Sequence, residues 1–187
     1  MRQRMISRAI AIVLVVLVVI WSSVAARGQE ASEYQVEAAF LYHFAKFVAW
    51  PAEAFPEENS PITIGILGED PFGDALETTV HNKSIDKHPF RIVHLDMKSL
   101  AEAKRCQILF ICPSEKRRLA DVLETLKESS VLTVSSKIER FTQAGGMINF
   151  FIEDKKVRFE INDEQARRVG LKISAKLLNL SRHKETP

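Results

Sequence analysis

YQVEAAFLYHFAKFVAWP, residues 34–51, is the stretch whose reading decides the fold. Projected at about 100° per residue, it places Gln35, Ala39, His43 and Lys46 in one narrow wedge. Tyr34, Val36, Ala38, Phe40, Leu41, Tyr42, Phe44, Ala45, Phe47 and Val48 fill most of the remaining circle. Glu33 and Glu37 interrupt that arc near the helix start, where carboxylates suit the helix dipole. An ordinary surface helix carries an apolar stripe a little over ~100° wide, and this arc is about twice that. The helix is therefore expected to be covered from more than one side and to stop at Pro51, which has no N–H for the ladder. Two readings follow from the breadth of the arc. Either the helix is sunk in its own core, or part of the arc docks a twin subunit or another protein. On the second reading the contact surface is the outer part of the helix, Leu41, Tyr42, Ala45 and Trp50.

Upstream of this helix, Arg2, Arg4 and Arg8 precede an unbroken apolar run from Ala9 to Trp21. Val24-Ala25-Ala26 follows as a small-residue exit. A basic start, a short apolar run and a small-residue exit read as a secretory signal peptide over residues 1–26. The alternative is an uncleaved anchor lengthened by Val24 to Ala26, since a spanning helix wants about 20 residues. The whole chain has 187 residues, with 26 basic and 24 acidic side chains. Without the leader's three arginines the balance is 23 to 24, a formal charge of −1. The basic excess thus belongs to the leader, and no clustered basic face points to nucleic acid. Residues 27–187 are expected to form one domain with a sizeable core.

Downstream, the pattern alternates strand and helix. Ile62 to Leu67 is apolar or small on both faces, as in a strand covered on both sides. Asp70-Pro71 reads as an N-cap and first helical residue, for a helix through Phe72, Leu76 and Val80. Asn82 to Pro89 reads as a polar loop, Phe90 to Leu95 as a strand and Lys98 to Arg105 as a short helical connector. CQILFIC, residues 106–112, is the continuous apolar run of a central parallel strand. Ser114 is expected to cap the next helix, in which Leu119, Val122, Leu123 and Leu126 recur at helical spacing. Val131 to Val134 reads as a strand, and a short helix around Ile138 and Phe141 is expected before Gly145-Gly146. A two-residue turn at Asp154-Lys155 would pair Ile152 with Val157, Phe150 with Phe159 and Ile148 with Ile161 on one apolar side. The other side would pair Glu153 with Lys156, Phe151 with Arg158 and Asn149 with Glu160. Asn162 and Gln165 form a capping box, Gly170 ends that helix, and Ser174 starts a last one. The expected fold class is α/β: a mostly parallel sheet flanked by helices on both faces, with an antiparallel hairpin at the edge.

Candidate chemistry is sparse. Cys106 and Cys112 stand six residues apart along one strand, about 20 Å at ~3.3 Å per residue. A disulfide needs Cα atoms within about 7 Å, so the two cannot join each other; buried free thiols are expected, with a bridge to another chain as the alternative. His81, His88 and His94 lack zinc-site spacing and read as solvated loop residues. Gly68-Glu69-Asp70 leads from a strand end into a helix, a place that ligands favour in open parallel sheets. Its two carboxylates would repel a phosphate, so any ligand near Glu69, Asp70 and Phe72 would be cationic or neutral. No Gly-x-Ser-x-Gly elbow and no His-Glu-x-x-His helix occurs, and no catalytic constellation, cofactor motif or metal motif emerges.

Four stretches together carry a resemblance: residues 34–51, ITIGILGEDPFGDALE at 62–77, GGMINFFIEDKKVRFEIN at 145–162 and GLKISAKLLNLS at 170–181. In order and spacing they resemble the YfiR-like family of periplasmic proteins. The resemblance implies a non-enzymatic periplasmic regulator that binds the sensing part of an inner-membrane diguanylate cyclase and holds it inactive. It also implies that an OmpA-like outer-membrane lipoprotein can sequester the regulator, which raises cyclic di-GMP and favours biofilm, and that the regulator is a homodimer. Some members use structural disulfides, from which this chain departs with only two cysteines. The expected contact surface is Leu41, Tyr42, Ala45 and Trp50, with Phe151 and Arg158 of the hairpin second. A periplasmic small-molecule binding protein, with its pocket at Glu69, Asp70 and Phe72, is the competing class.

Overall fold

The computed structural model describes residues 30–181. The leader read at residues 1–26 lies outside them. The first helix, α1, occupies residues 30–47. Its buried residues are Tyr34, Glu37, Ala38, Leu41, Phe44, Ala45 and, just beyond, Val48, a stripe at helical spacing. The helix lies across a sheet, which accounts for the breadth of its apolar arc. Its flanks touch strands far apart in that sheet: Tyr42 meets Phe90 at 5.6 Å, whereas Phe40 and Phe44 meet Phe159 at 5.2 and 5.3 Å. Gln35, Val36, Ala39, His43 and Lys46 face solvent, so α1 is covered on one side only.

Pro51 does not end α1. The helix stops at residue 47, and β1 (Val48–Ala49) pairs antiparallel with β9 (Lys172–Ile173). The Ser174 N–H donates to the Phe47 carbonyl at 2.9 Å, giving the end of the helix a partner from the far end of the chain.

The main sheet runs β3 (Ser84–Ile85), β4 (His88–Leu95), β2 (Ile62–Leu67), β5 (Ile108–Ile111), β6 (Leu132–Ser136), β7 (Ile148–Glu153), β8 (Lys156–Ile161). The five strands from β4 to β7 are parallel. The chain is therefore mixed α/β with a mostly parallel sheet and an antiparallel hairpin at one edge. The opposite edge ends in a second, shorter hairpin: Ser84 and Ile85 pair with Pro89 and His88 inside the expected polar loop. Ile108 and Phe110 join an apolar cluster with α1, α2 (Asp74–Val80), α4 (Asp163–Arg168) and α5 (Ala175–Leu180). Leu109 and Ile111, the alternate residues of the same strand, join another with α3 (Leu119–Leu126) and the 3-10 helix Leu100–Arg105. The strand is buried on both faces, as its unbroken apolar run requires.

The hairpin register is the one read from the sequence, from Ile148↔Ile161 to Glu153↔Lys156. Its turn holds Asp154 at φ 50° and Lys155 at φ 59°, the left-handed pair that a type I′ turn needs, here without glycine. Asn162 Oδ1 accepts the Gln165 N–H at 3.0 Å, and Ser174 Oγ accepts the Leu177 N–H at 3.2 Å, so α4 and α5 carry the expected caps.

Three local expectations fail. Asp70 does not cap α2, which starts four residues later after Gly73; its Oδ1 instead closes a turn onto the Phe72 N–H at 2.7 Å. Ser114 caps no helix, because its Oγ accepts the Glu69 N–H at 3.0 Å. Residues 139–145 form turns rather than a helix. Gly146 lies against Phe141 there, and a Cβ on it would stand 2.2 Å from the ring. Gly146 thus makes room for a fully buried phenylalanine.

Candidate functional site

The five parallel strands run in the spatial order β4-β2-β5-β6-β7. From β2 the chain moves outward to β4 and then returns past β2 to β5. The loops leaving the carboxyl ends of β2 and β5 diverge at this reversal, where open α/β sheets form their crevice. Gly68 permits the close approach of the two loops: its φ is +100°, and a Cβ would stand 2.4 Å from Ser114 Oγ. Beside this contact lies an open cleft of about 610 Å³, lined by Glu30, Tyr34, Glu69, Asp70, Pro113 and Ser114 among others. Asp70 Oδ2 pairs with His94 Nε2 at 2.8 Å. Three carboxylates and no lysine or arginine line the cleft, so it suits a cation and repels phosphate. Among the described residues no group of histidine, cysteine, aspartate and glutamate could hold a metal ion.

Next to the cleft, the end of β6 meets α1. Glu37 is fully buried, and its Oε1 accepts from Ser136 Oγ at 2.7 Å. Burial pushes its carboxyl up to about 7; the Ser136 bond and the nearby Lys137 ammonium oppose that shift. Lys137 Nζ reaches Glu33 at 3.0 Å and Glu30 at 3.3 Å, and lies 5.0 Å from the Tyr34 ring centroid.

A family model described as YfiR/HmsC-like matches residues 34–182. That span takes in α1 from Tyr34 onward and, among the described residues, every strand and the closing α5. The chain belongs to the YfiR/HmsC-like family. No curated protein matches it.

In this YfiR/HmsC-like domain the residues expected at an interface part company. Leu41 and Ala45 are 0% and 3% exposed, held between α1 and the sheet, so neither belongs to an outer face. Helical periodicity alone does not separate them from their neighbours, because it carries no information on which strands lie beneath. Tyr42 is half-buried against Phe90, with Lys83 Nζ 4.6 Å from its ring centroid. Trp50 is half-buried, and its indole N–H donates to the Gln107 carbonyl at 3.0 Å. Gln107 is itself buried and binds the Thr63 N–H and the Ala54 carbonyl, a polar clamp with no local sequence signal. Phe151 is half-buried and Arg158 exposed, opposite one another on the hairpin. Val36, Ile152 and Leu180 are exposed large apolar side chains, although Val36 belongs to the apolar arc and Ile152 to the apolar side of the hairpin read from the sequence.

The expected ligand residues also divide. Glu69 and Asp70 line the cleft. Phe72 is buried in the core beside it, edge-on to Tyr34 at 5.7 Å and to Phe110 at 4.7 Å. His88 and His94 are strand residues, not loop residues. His88 stacks on Phe55 at 4.2 Å, and its Nδ1 lies 2.6 Å from the Ser60 carbonyl oxygen. Cys106 and Cys112 are free and buried, and burial pushes their thiols up to about 11 and about 12. Neither is a reactive nucleophile in that state.

Proposed function

We propose that this chain is an exported, non-enzymatic regulator that binds the periplasmic sensing domain of an inner-membrane diguanylate cyclase and holds the cyclase inactive. The match to the YfiR/HmsC-like family over residues 34–182 is the observation that carries this reading. Residues 1–26 act as its signal peptide, and residues 27–187 as the working domain, which pairs as a homodimer. An OmpA-like outer-membrane lipoprotein competes for the regulator and releases the cyclase. Inhibition of this kind requires tighter binding to the inactive conformation than to the active one, by about 1–3 kcal/mol for a typical coupling. The contact surface is the mixed face of the hairpin, Phe151 and Arg158. Tyr42, against Phe90 of β4, and the ring of Trp50, beside Gln107, form a separate second patch. Leu41 and Ala45 have no part in it, because both are core.

The test is capture of membrane proteins by the tagged, processed chain. The wild type should retain a cyclase carrying a GGDEF domain, and a Phe151→Asp, Arg158→Glu double variant should retain little while keeping its circular dichroism and cooperative melt. Cyclic di-GMP in cells should rise with the double variant. Undiminished capture by that variant would remove the hairpin from the interface; absence of any cyclase among the captured proteins would remove the reading itself.

The cleft between β2 and β5 supports a second reading, a periplasmic binding protein for a small cationic or neutral ligand. A concentration-dependent rise in melting temperature would favour it, about 2.7 kcal/mol of stabilisation when the ligand stands at about 100 times its Kd. Loss of that rise in Glu69→Gln, Asp70→Asn would place the ligand in the cleft.

A further inference from the structure

Glu37 occupies a position on the buried stripe of α1 where the helical period calls for an apolar side chain. It is 0% exposed, and its Oε2 is buried with no hydrogen-bond partner. A buried polar atom without a partner is uncommon and calls for a physical reason. Its one hydrogen bond comes from Ser136, the last residue of β6. The next residue, Lys137, holds φ at 58°, a left-handed conformation unusual for lysine, and its N–H is tied to the Phe150 carbonyl at 3.0 Å. From that fixed backbone its ammonium reaches back to Glu30 and Glu33 on the same helix. Two consecutive residues at the end of one strand thus grip α1, one through a buried carboxyl and the other through ion pairs. Backbone held out of its ordinary region at such a junction is where switching elements are found.

We propose that Glu37, Ser136 and Lys137 form a proton-operated latch that fixes the first turns of α1 to the carboxyl end of β6 and loosens when Glu37 ionises. A neutral carboxyl fits the site as found: one oxygen accepts from Ser136, and the other leaves a single hydroxyl unpaired. An ionised carboxyl would place a full charge in apolar surroundings on one hydrogen bond, which is far more costly. The nearest cation is Lys137, and drawing it inward takes it from Glu30 and Glu33. Either response, the lysine moving in or water entering, loosens the start of α1.

The groups around Glu37 do not blur the transition. From the end of β6 come the uncharged Ser136 and Lys137, whose ammonium is held above its ordinary value. From α1 come Glu33 and Tyr34, whose phenol burial raises. Cys112, at the end of β5, reaches the cluster through Tyr34, and its thiol is pushed up to about 12. Burial places the Glu37 carboxyl at about 7 against an ordinary 4.5. The folded value lies above the unfolded one, so the latch is fully closed below the unfolded value and opens as pH rises through the folded value. The inference rests on the fold and not on the regulatory reading.

Two measurements on the purified chain test it. The first is a carbon-13 titration of the Glu37 side-chain carboxyl by NMR, which should show a midpoint near neutrality. A midpoint in the ordinary carboxylate range overturns the latch. The second is amide hydrogen exchange of residues 30–41, corrected for the intrinsic pH dependence, at about pH 5.5 and about pH 8.5, on either side of the folded value. Exchange should be at least about tenfold faster at the higher pH in the wild type, the factor that one unit of linkage supplies, and pH-independent in Glu37→Gln. Equal corrected protection at both pH values, or a pH response that survives in Glu37→Gln, overturns it. Should Glu37→Gln not fold, the first measurement on the wild type decides.

Discussion

At the scale of the residue, several side chains are fixed by what touches them rather than by their type. Gly146 shows this most directly: no positive φ demands glycine there, but Phe141 fills the space that a Cβ would need. Gly146→Ala should cost about 1–3 kcal/mol by overpacking, read as a lower urea midpoint with unchanged m. A Phe141→Leu background should recover part of that loss. Glu37 makes a second case. Its carboxyl lies at about 7 when folded and near 4.5 when unfolded, so the folded state holds the extra proton between those values. Stability should therefore be greatest below about pH 4.5, as far as this group is concerned, and fall by up to a few kcal/mol as pH passes about 7. Urea titrations of the wild type and Glu37→Gln across that window check the sign; the variant should show the smaller slope. Nothing in residues 34–51 alone marks Glu37 as buried, because a carboxylate early in a helix has an adequate surface explanation in the dipole.

At the scale of the element, the hairpin β7–β8 and α1 behave differently as reading problems. The hairpin's register follows from two-residue periodicity, since a slip by one residue would send Phe150 and Phe159 to the wrong face. Its turn is held without glycine, at φ 50° and 59°. Replacing Asp154-Lys155 by Asn-Gly should therefore raise stability by about 0.5–1 kcal/mol, seen as a higher melting temperature. α1 was legible as a helix, but its faces were not. The calculated arc treats a flank residue such as Tyr42 and a core residue such as Leu41 alike. The structure separates them by what lies beneath, the interior of the sheet for Leu41 and a single strand for Tyr42. Leu41→Ala should cost about 2–5 kcal/mol, whereas Tyr42→Ala should cost less, because only part of its ring leaves a packed contact. Denaturant unfolding of the two variants makes the comparison.

At the scale of the whole molecule, the fold is closed by a contact between β1 and β9, which lie more than 120 residues apart. β1 follows α1 directly and pairs with β9, while Leu171, Ile173 and Leu177 complete the same apolar cluster as Phe44 and Phe150. Each of those side chains contributes about 1.5–3 kcal/mol by burial, and a domain's whole margin is about 5–15 kcal/mol. Ending the chain after Gly170 should therefore abolish the cooperative melt, which differential scanning calorimetry would show. The milder Ser174→Ala, which removes only the cap of α5, should cost about 1 kcal/mol and leave the transition cooperative. The switch-point cleft belongs to this scale as well. Its walls come from α1 and from the loops after β2 and β5, segments tens of residues apart.

The sequence by itself determined the family, the order of nearly all strands and helices, the hairpin register, the caps of α4 and α5, and that Cys106 and Cys112 stand too far apart to bridge each other. The family rests on the resemblance of four stretches in order and spacing; the others depend on local periodicity, on side-chain hydrogen bonds a few residues long, or on distance along one strand. Only the tertiary structure decided where α1 ends, which side of it is core, what Ser114 and Asp70 bind, and that Glu37 is buried beside Ser136. Those outcomes depend on partners distant in the chain: the Phe47 carbonyl waits for Ser174, Glu69 for Ser114, and Glu37 for a serine 99 positions later. A hydrogen bond to a remote partner leaves no period in the sequence, so no local pattern could have announced it.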